Sequence, residues 1–342
     1  MSERWDAIVV GAGISGLAAA YELRRRDRRV LVLEAEAIGA AQSAGLARIF
    51  RIAHRDPRLC TLALEARAGW RRWERELGAG RLLGDEGLVV AGEEHGEAMR
   101  AAGVEPVPLD RREIAERLAV ARPMWESGVW DGHAGSLRIR RALAALAGRV
   151  TVRRATVRAV AADGRVWLDD GEVLAGDAVL VCAGIATGEL VAPLGIDVSM
   201  CVFHHVRLTY RARERTGACL ISPEGYGLPL GSTGRWALGL HDDEPLPFAA
   251  ATADDAAAAA RREHAARVPD AFPGLDPEPV DEIRCVALEA DWLDDGDGFV
   301  VRRADRVVAF TGGNLMKFGP VIGDRLARLS EREPEPLATG LY

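Results

Sequence analysis

One stretch near the start of this 342-residue chain restricts its fold more than any other. An apolar run, Ile8-Val9-Val10, breaks into Gly11-Ala12-Gly13-Ile14-Ser15-Gly16 and continues as Leu17-Ala18-Ala19-Ala20-Tyr21-Glu22-Leu23. A second apolar run, Val30-Leu31-Val32-Leu33, ends on Glu34. Strand, glycine turn, helix and strand close a βαβ unit, and each residue type in it suits a dinucleotide. Gly11 allows the sharp turn, Gly13 admits a pyrophosphate to the backbone, and Gly16 lets the helix lie close on the sheet. The helix start, at Ile14 and Ser15, presents unpaired N–H groups and a positive dipole end to the phosphates. Glu34 stands near the expected spacing of about 20 residues after the glycines, where it would accept hydrogen bonds from ribose hydroxyls and repel a 2′-phosphate. NADP is therefore disfavoured. Ala35 completes the expected cofactor contacts of this unit, and its place at the N-terminus favours FAD over NAD by analogy.

Composition narrows the remaining classes. A net charge of -7 argues against a general nucleic-acid surface, which draws on an excess of Lys and Arg. No run approaches the roughly 20 apolar residues of a membrane helix. The first strand begins so early that no signal peptide is expected. Cys60, Cys182, Cys201, Cys219 and Cys285 stand singly, so they read as reduced thiols in a cytoplasmic protein, with no metal framework. The chain has 44 Lys plus Arg, and Lys317 is the only lysine. Against such an arginine bias, Lys317 reads as kept for a compact ammonium that a guanidinium cannot imitate.

The length suggests two domains. Pro57 to Leu77 carries Leu59, Leu62, Ala66, Trp70, Trp73 and Leu77 at helical spacing, so its tryptophans read as core. Strands are expected at 88–90, 104–109, 150–160, 165–168 and 178–181, and helices near 111–119 and 139–146. From Met200 onward, alternating runs at 202–210, 219–221, 225–230 and 236–240 predict an antiparallel sheet and hence a second domain. The alanine-rich stretch 249–268 reads as a helix on that sheet, and Pro269 to Pro279 as the return to the first domain. A last strand at 307–310, a turn at Thr311-Gly312-Gly313 and a helix at 321–329 follow. Beyond Glu331, with Pro334 and Pro336, a loosely ordered tail is expected.

With these pieces placed, the chain resembles the D-amino-acid oxidase superfamily of flavoproteins, in particular the monomeric sarcosine oxidase and N-methyltryptophan oxidase branch. The resemblance runs nearly end to end. It rests on the fingerprint together with Arg48-Ile49-Phe50-Arg51, Tyr226-Gly227-Leu228-Pro229, Leu238-Gly239-Leu240-His241, Cys285, and Thr311-Gly312-Gly313-Asn314-Leu315-Met316-Lys317-Phe318.

The resemblance implies an α/β fold: a Rossmann-like FAD-binding domain assembled from three segments (1–84, 136–198 and 281–342) and an α+β substrate domain (85–135 and 199–280) on a mainly antiparallel sheet. It places Arg48, Gly312, Gly313, Asn314, Leu315 and Lys317 with Gly11, Gly13 and Gly16 around FAD, and a covalent flavin bond on Cys285. The alternative for Cys285 is a buried, inert thiol. Neighbouring Arg284 is expected to help form the thiolate. Arg51 and Lys317 would clamp a substrate carboxylate, and Tyr226 and His241 would line the pocket. The implied chemistry removes a hydride equivalent from the carbon next to the nitrogen of an amino acid, N-methyl amino acid or cyclic imino acid, free or tethered to a carrier, with molecular oxygen or another acceptor taking the electrons.

Two departures stand out. Ser43 and Ala44 replace the family's histidines, and Ala237 occupies the position of a lysine that assists reaction with oxygen. Three accounts of Ala237 are open: a dehydrogenase with another acceptor, a different cation such as Arg48 or Arg235, or a reaction with no net oxidation. A flavin-binding assembly protein without turnover is the alternative from another class.

Overall fold

Two eight-stranded sheets organise the molecule. The computed structural model describes residues 4–122, 124–198, 200–214, 217–241, 246–289 and 298–331, so the expected tail beyond Glu331 lies outside the described residues. The elements run β1 (Arg4–Val10), α1 (Ile14–Arg24), β2 (Val30–Glu34), β3 (Ala47–Phe50), α2 (Pro57–Leu77), β4 (Leu88–Ala91), α3 (Glu94–Ala101), β5 (Val107–Asp110), α4 (Arg111–Arg117), β6 (Ser127–Asp131), β7 (Gly135–Arg138) and α5 (Ile139–Ala147). They continue as β8 (Thr151–Arg154), β9 (Val157–Val160), β10 (Arg165–Leu168), β11 (Val173–Val181), α6 (Thr187–Val191), β12 (Cys201–Arg211), β13 (Cys219–Ser222), β14 (Gly225–Pro229), β15 (Arg235–Leu240), α7 (Ala253–Ala271), β16 (Asp281–Glu289), β17 (Phe299–Ala304), β18 (Val307–Gly312) and α8 (Gly319–Glu331).

The first sheet has the order β17-β18-β11-β1-β2-β8, with β10 and β9 paired along β11. From β18 to β8 the neighbours are parallel. Both faces are covered, which is why Ile8–Val10, Val30–Leu33, Val179–Val181 and Val307–Phe310 are unbroken apolar runs. Helices α1 and α8 pack together at backbone contact, since a Cβ on Gly323 would overlap the main chain of Ala18. As the resemblance implied, three separated stretches build the sheet. The parallel strands β1, β2, β11 and β18 end along one edge, the edge where an open parallel sheet binds ligands.

The second sheet runs β16-β12-β15-β14-β13-β4-β6-β5. All neighbours are antiparallel except β13 and β4. Its edge strand β16 falls in the segment that the sequence division put with the cofactor-binding part, yet it pairs with β12 along nine residues. Helix α7 lies against β12 behind a capping box of Thr252 and Asp255, and it continues past Pro269 to Ala271.

Several elements differ from the sequence reading. The stretch 150–160 is two strands, and β6, β7, α3 and β17 occupy segments that polarity alone leaves unassigned. Arg48 lies on β3, paired with Leu137 of β7. Helix α2 matches its periodicity: Asp56 accepts from Arg58 N at 2.8 Å, Pro57 opens the first turn, and Gly78 ends it at φ 63°. All five cysteines are free, and among the described residues no helix is long and apolar enough to cross a membrane.

Candidate active site

The dinucleotide cradle is built from backbone that tolerates no side chains. Gly11 has φ 101°, a conformation suited to glycine, and a Cβ there would overlap the carbonyl of Cys182, just past the end of β11. A Cβ on Gly16 would overlap the carbonyl of Gly11. At Gly13 a Cβ would meet only Ser43 Oγ, at 3.3 Å, so that face of the turn is open to a ligand. Ser43 Oγ also accepts from Ile14 N at 3.0 Å, the kind of bond a phosphate oxygen makes at a helix start. Glu34 is pinned beside the turn, accepting from Ala12 N at 2.6 Å and Glu36 N at 2.9 Å.

Across the strand ends, Gly313 N donates to Gly298 O at 2.8 Å and Asn314 adopts φ 52°, turning the chain into the 3-10 segment Leu315–Phe318. A cavity of about 310 Å³ joins Gly184 and Thr311 on this edge to Val202 and Leu288 on the second sheet. This donor-rich glycine cradle, with an acid anchored at its side, fits a dinucleotide.

The second sheet presents a polar face to this region. Period two along β12 puts His205, Arg207 and Thr209 on one side. Cys285 pairs with His205, Ala237 with Thr209, and Tyr226 with Gly239. Tyr226 lies across Gly239, where any Cβ would overlap its ring. The Tyr226 hydroxyl is 2.9 Å from His205 Nε2, and Cys285 Sγ is 3.3 Å from Nδ1 of the same ring. Burial, assisted by the charges of Arg48 and Arg207, lowers His205 to about 3. The neutral ring donates from one nitrogen and accepts at the other, so Tyr226 and Cys285 are joined in one directional chain. Burial raises the Cys285 thiol, and Arg48 and Arg207 pull it the other way.

Arg284 is not the cation that acts on this thiol. It is exposed on the opposite face of β16 and is held by Glu282 at 2.6 Å and by Asp254. Arg235 is exposed at the start of β15, opposite Arg211.

Arg51 and Lys317 are only 8% and 6% exposed; Arg51 directly follows β3, Lys317 lies on the 3-10 segment, and β3 and that segment pack against each other. Buried Asp131 fixes the chain after Arg51, accepting from Ile52 N at 2.6 Å and Ala53 N at 3.0 Å. Trp70, read from the sequence as core, donates Nε1–H to the Lys317 carbonyl at 2.8 Å. The Lys317 ammonium stands 5.3 Å from the Phe318 ring centre. His241 is exposed, with its ring 6.4 Å from that of Tyr226 and Nδ1 3.2 Å from Pro223 O, so it sits at the rim. His205 and Arg207 were missed by the sequence reading. The signal was the period-two placement of polar residues on an otherwise apolar strand.

Two neutral histidines, His264 buried and His205 partly so, set an acid limit on stability. His205 is lowered to about 3, and burial lowers His264, whose Nδ1 is 2.9 Å from the Tyr210 hydroxyl, to about 4. Because the unfolded chain binds these protons near pH 6.5, stability is full above that pH and is lost as pH falls toward the folded values. The expected result is a urea midpoint that drops between pH 6.5 and about 4, and a shallower drop in His264→Gln. Equal slopes in the two proteins would show that His264 does not contribute.

Residues 6–329 match the model of the DAO family, FAD dependent oxidoreductase, and the chain belongs to that family. It is thus an FAD-dependent oxidoreductase, as the sequence recognition held. The chain is similar to the peroxisomal sarcosine oxidase of Homo sapiens, 26% identical over 372 residues that cover 95% of this chain and 92% of that protein. Among solved structures it is similar to NikD, an unusual amino acid oxidase essential for nikkomycin biosynthesis, with TM-score 0.85, 24% identity and coverage of 98% and 96%. It is also similar to glycine oxidase from Geobacillus kaustophilus, with TM-score 0.83, 21% identity and coverage of 98% and 96%.

Proposed function

We propose that the protein oxidises the carbon–nitrogen bond of a carboxylate-bearing amine, whether an amino acid, an N-methyl amino acid or a cyclic imino acid, to the imine. The observation that carries this reading is the burial of Arg51 and Lys317 on adjoining elements. Two buried cations suit a carboxylate, the guanidinium as a planar fork and the ammonium as a point charge. Gly11, Gly13, Ile14, Ser15, Gly16, Glu34, Ala35, Arg48, Gly312, Gly313, Asn314 and Leu315 would hold FAD, which when bound would supply the hydride acceptor.

The protein binds and orients the substrate. Arg51 and Lys317 fix the carboxylate, and Tyr226 and His241 border the amine end. The surrounding positive charge favours the uncharged amine, whose lone pair forms the C=N bond as the C–H leaves with its electron pair and the N–H proton passes to solvent. Orientation and electrostatics are the protein's share of the catalysis. We assign β16 to the substrate domain and otherwise keep the division into two domains.

Anaerobic addition of a panel of amino and N-methyl amino acids should bleach the flavin band near about 450 nm. A flavin that none of them bleaches would support the assembly-protein alternative. Admitting air afterwards should reoxidise it slowly, because Ala237 leaves no ammonium at the position that the family uses for oxygen; fast return would restore the oxidase assignment. A carrier-tethered substrate remains within this reading, since the carboxylate clamp does not require a free amine.

Cys285 is our candidate for a covalent link to the flavin, with its Sγ held 3.3 Å from His205 Nδ1 and the charges of Arg48 and Arg207 favouring the thiolate. Acid precipitation should then leave the yellow colour on the polypeptide in the wild type and release it in Cys285→Ser. Colour released equally from both would make Cys285 an inert buried thiol.

A further inference from the structure

Arg207 has no part in the chemistry above, and its setting is unusual for an arginine. It is 2% exposed, its Nη1 donates to the Ala47 carbonyl at 2.9 Å, and its Nε and Nη2 are buried with no hydrogen-bond partner. Arg48 converges on the same space. A Cβ on Gly45 would lie 2.9 Å from Arg48 Nη1 and 3.2 Å from Arg207 Nη2. Gly45 itself has φ 110°, so the backbone there excludes a side chain and leaves room for both guanidinium groups. Arg48 donates to the carbonyls of Ala47 at 3.1 Å and Gln42 at 3.3 Å. Neither arginine has an ion pair among the described residues. Tyr226 closes the wall, and Arg207 favours its ionised form without making an aligned hydrogen bond to it.

Two guanidinium groups this close repel each other, and unmet donors in a buried charge are costly. An anion between them would relieve both penalties. The pyrophosphate of FAD is expected at the Gly11–Gly16 turn and not here, so the anion must come from elsewhere. A carboxylate is planar, matches a guanidinium fork in two parallel hydrogen bonds, and is smaller than a phosphate.

We propose that Arg207 and Arg48 form a second anion-binding subsite in the substrate cleft, so that the preferred amine carries two carboxylates. One binds to Arg51 and Lys317, and the other to Arg207 and Arg48. This inference rests on the amine-oxidation reading for the first carboxylate.

The test uses the FAD-loaded protein without air. Acetate, succinate and glutarate are titrated against the visible flavin spectrum, and bleaching rates are compared for N-methylglycine, N-methylaspartate and N-methylglutamate. The wild type should favour a dicarboxylate by about 10- to 100-fold, the range expected for hydrogen bonds to a charged group. Arg207→Met should lose that preference while keeping its affinity for acetate. Because Arg207→Met removes an unpaired buried charge, it should fold; Arg207→Gln, which keeps a polar end without the charge, provides a second variant and should also lose the preference.

No preference in the wild type, or an equal loss for mono- and dicarboxylates in Arg207→Met, would overturn the subsite. So would a variant that changes FAD affinity alone, since Arg207 would then serve the cofactor. If no amine bleaches the flavin but a dicarboxylate still binds more tightly than acetate, the amine-oxidation reading fails and the second anion site stands.

Discussion

Gly16→Ala is expected to abolish FAD binding and to leave little folded protein. The added Cβ overlaps the Gly11 carbonyl and comes within 3.2 Å of Val9 Cγ1, and both neighbours belong to the turn and strand that carry the fingerprint. Relief requires α1 to move off the sheet, and ten of its eleven residues are buried. A displacement of that kind exceeds about 4 kcal/mol, a large part of the roughly 5–15 kcal/mol that holds a typical domain folded. Gly78→Ala is the control. Gly78 has positive φ, at 63°, but a Cβ there meets nothing within 4 Å, so the cost is a local strain of about 1 kcal/mol. The ratio of flavin to protein absorbance and the thermal midpoint read both variants. A Gly16→Ala protein with full flavin content would mean that the helix does not need its close approach.

Arg51→Met should lower kcat/KM for a carboxylate-bearing amine by roughly 30- to 4,000-fold while FAD stays bound, corresponding to the ~2–5 kcal/mol lost when one side of a buried charge pair is truncated. Arg51→Lys should recover only part of this, because an ammonium cannot reproduce the two parallel hydrogen bonds of the fork. Acetate affinity, followed by the flavin spectrum, should fall in step. The backbone behind Arg51 is tied by two hydrogen bonds to Asp131, so the substitution should leave β3 in place. Unchanged kcat/KM, or loss of flavin along with activity, would remove Arg51 from the substrate site.

The first sheet was readable because its strands are buried on both faces and its turn needs glycines at fixed intervals. Those are one-dimensional signals. Helix α2 was readable for the same reason, with one apolar stripe and a proline and a glycine at its ends. The segments 94–101 and 127–138 were not, because α3, β6 and β7 are short and β7 pairs with β3, far away in the chain. The site shows the same division. Residues carried by a motif, such as Arg51 and Lys317, can be proposed from the sequence, whereas His205 and Arg207 gain their meaning from strands β14 and β16 and from Arg48. Arg284 shows the converse error: adjacency to Cys285 in sequence puts it on the other face of a strand.

The arrangement of the first sheet also bears on how the protein is made. Strand β18 is the neighbour of β11 on one side, so the edge facing the glycine turn is finished only by residues close to the end of the described chain. A ribosome emits β1, α1 and β2 first, but those elements wait for more than 250 further residues before their sheet is whole. Cofactor loading must then follow synthesis, and a nascent chain halted before β17 should remain colourless however much FAD surrounds it.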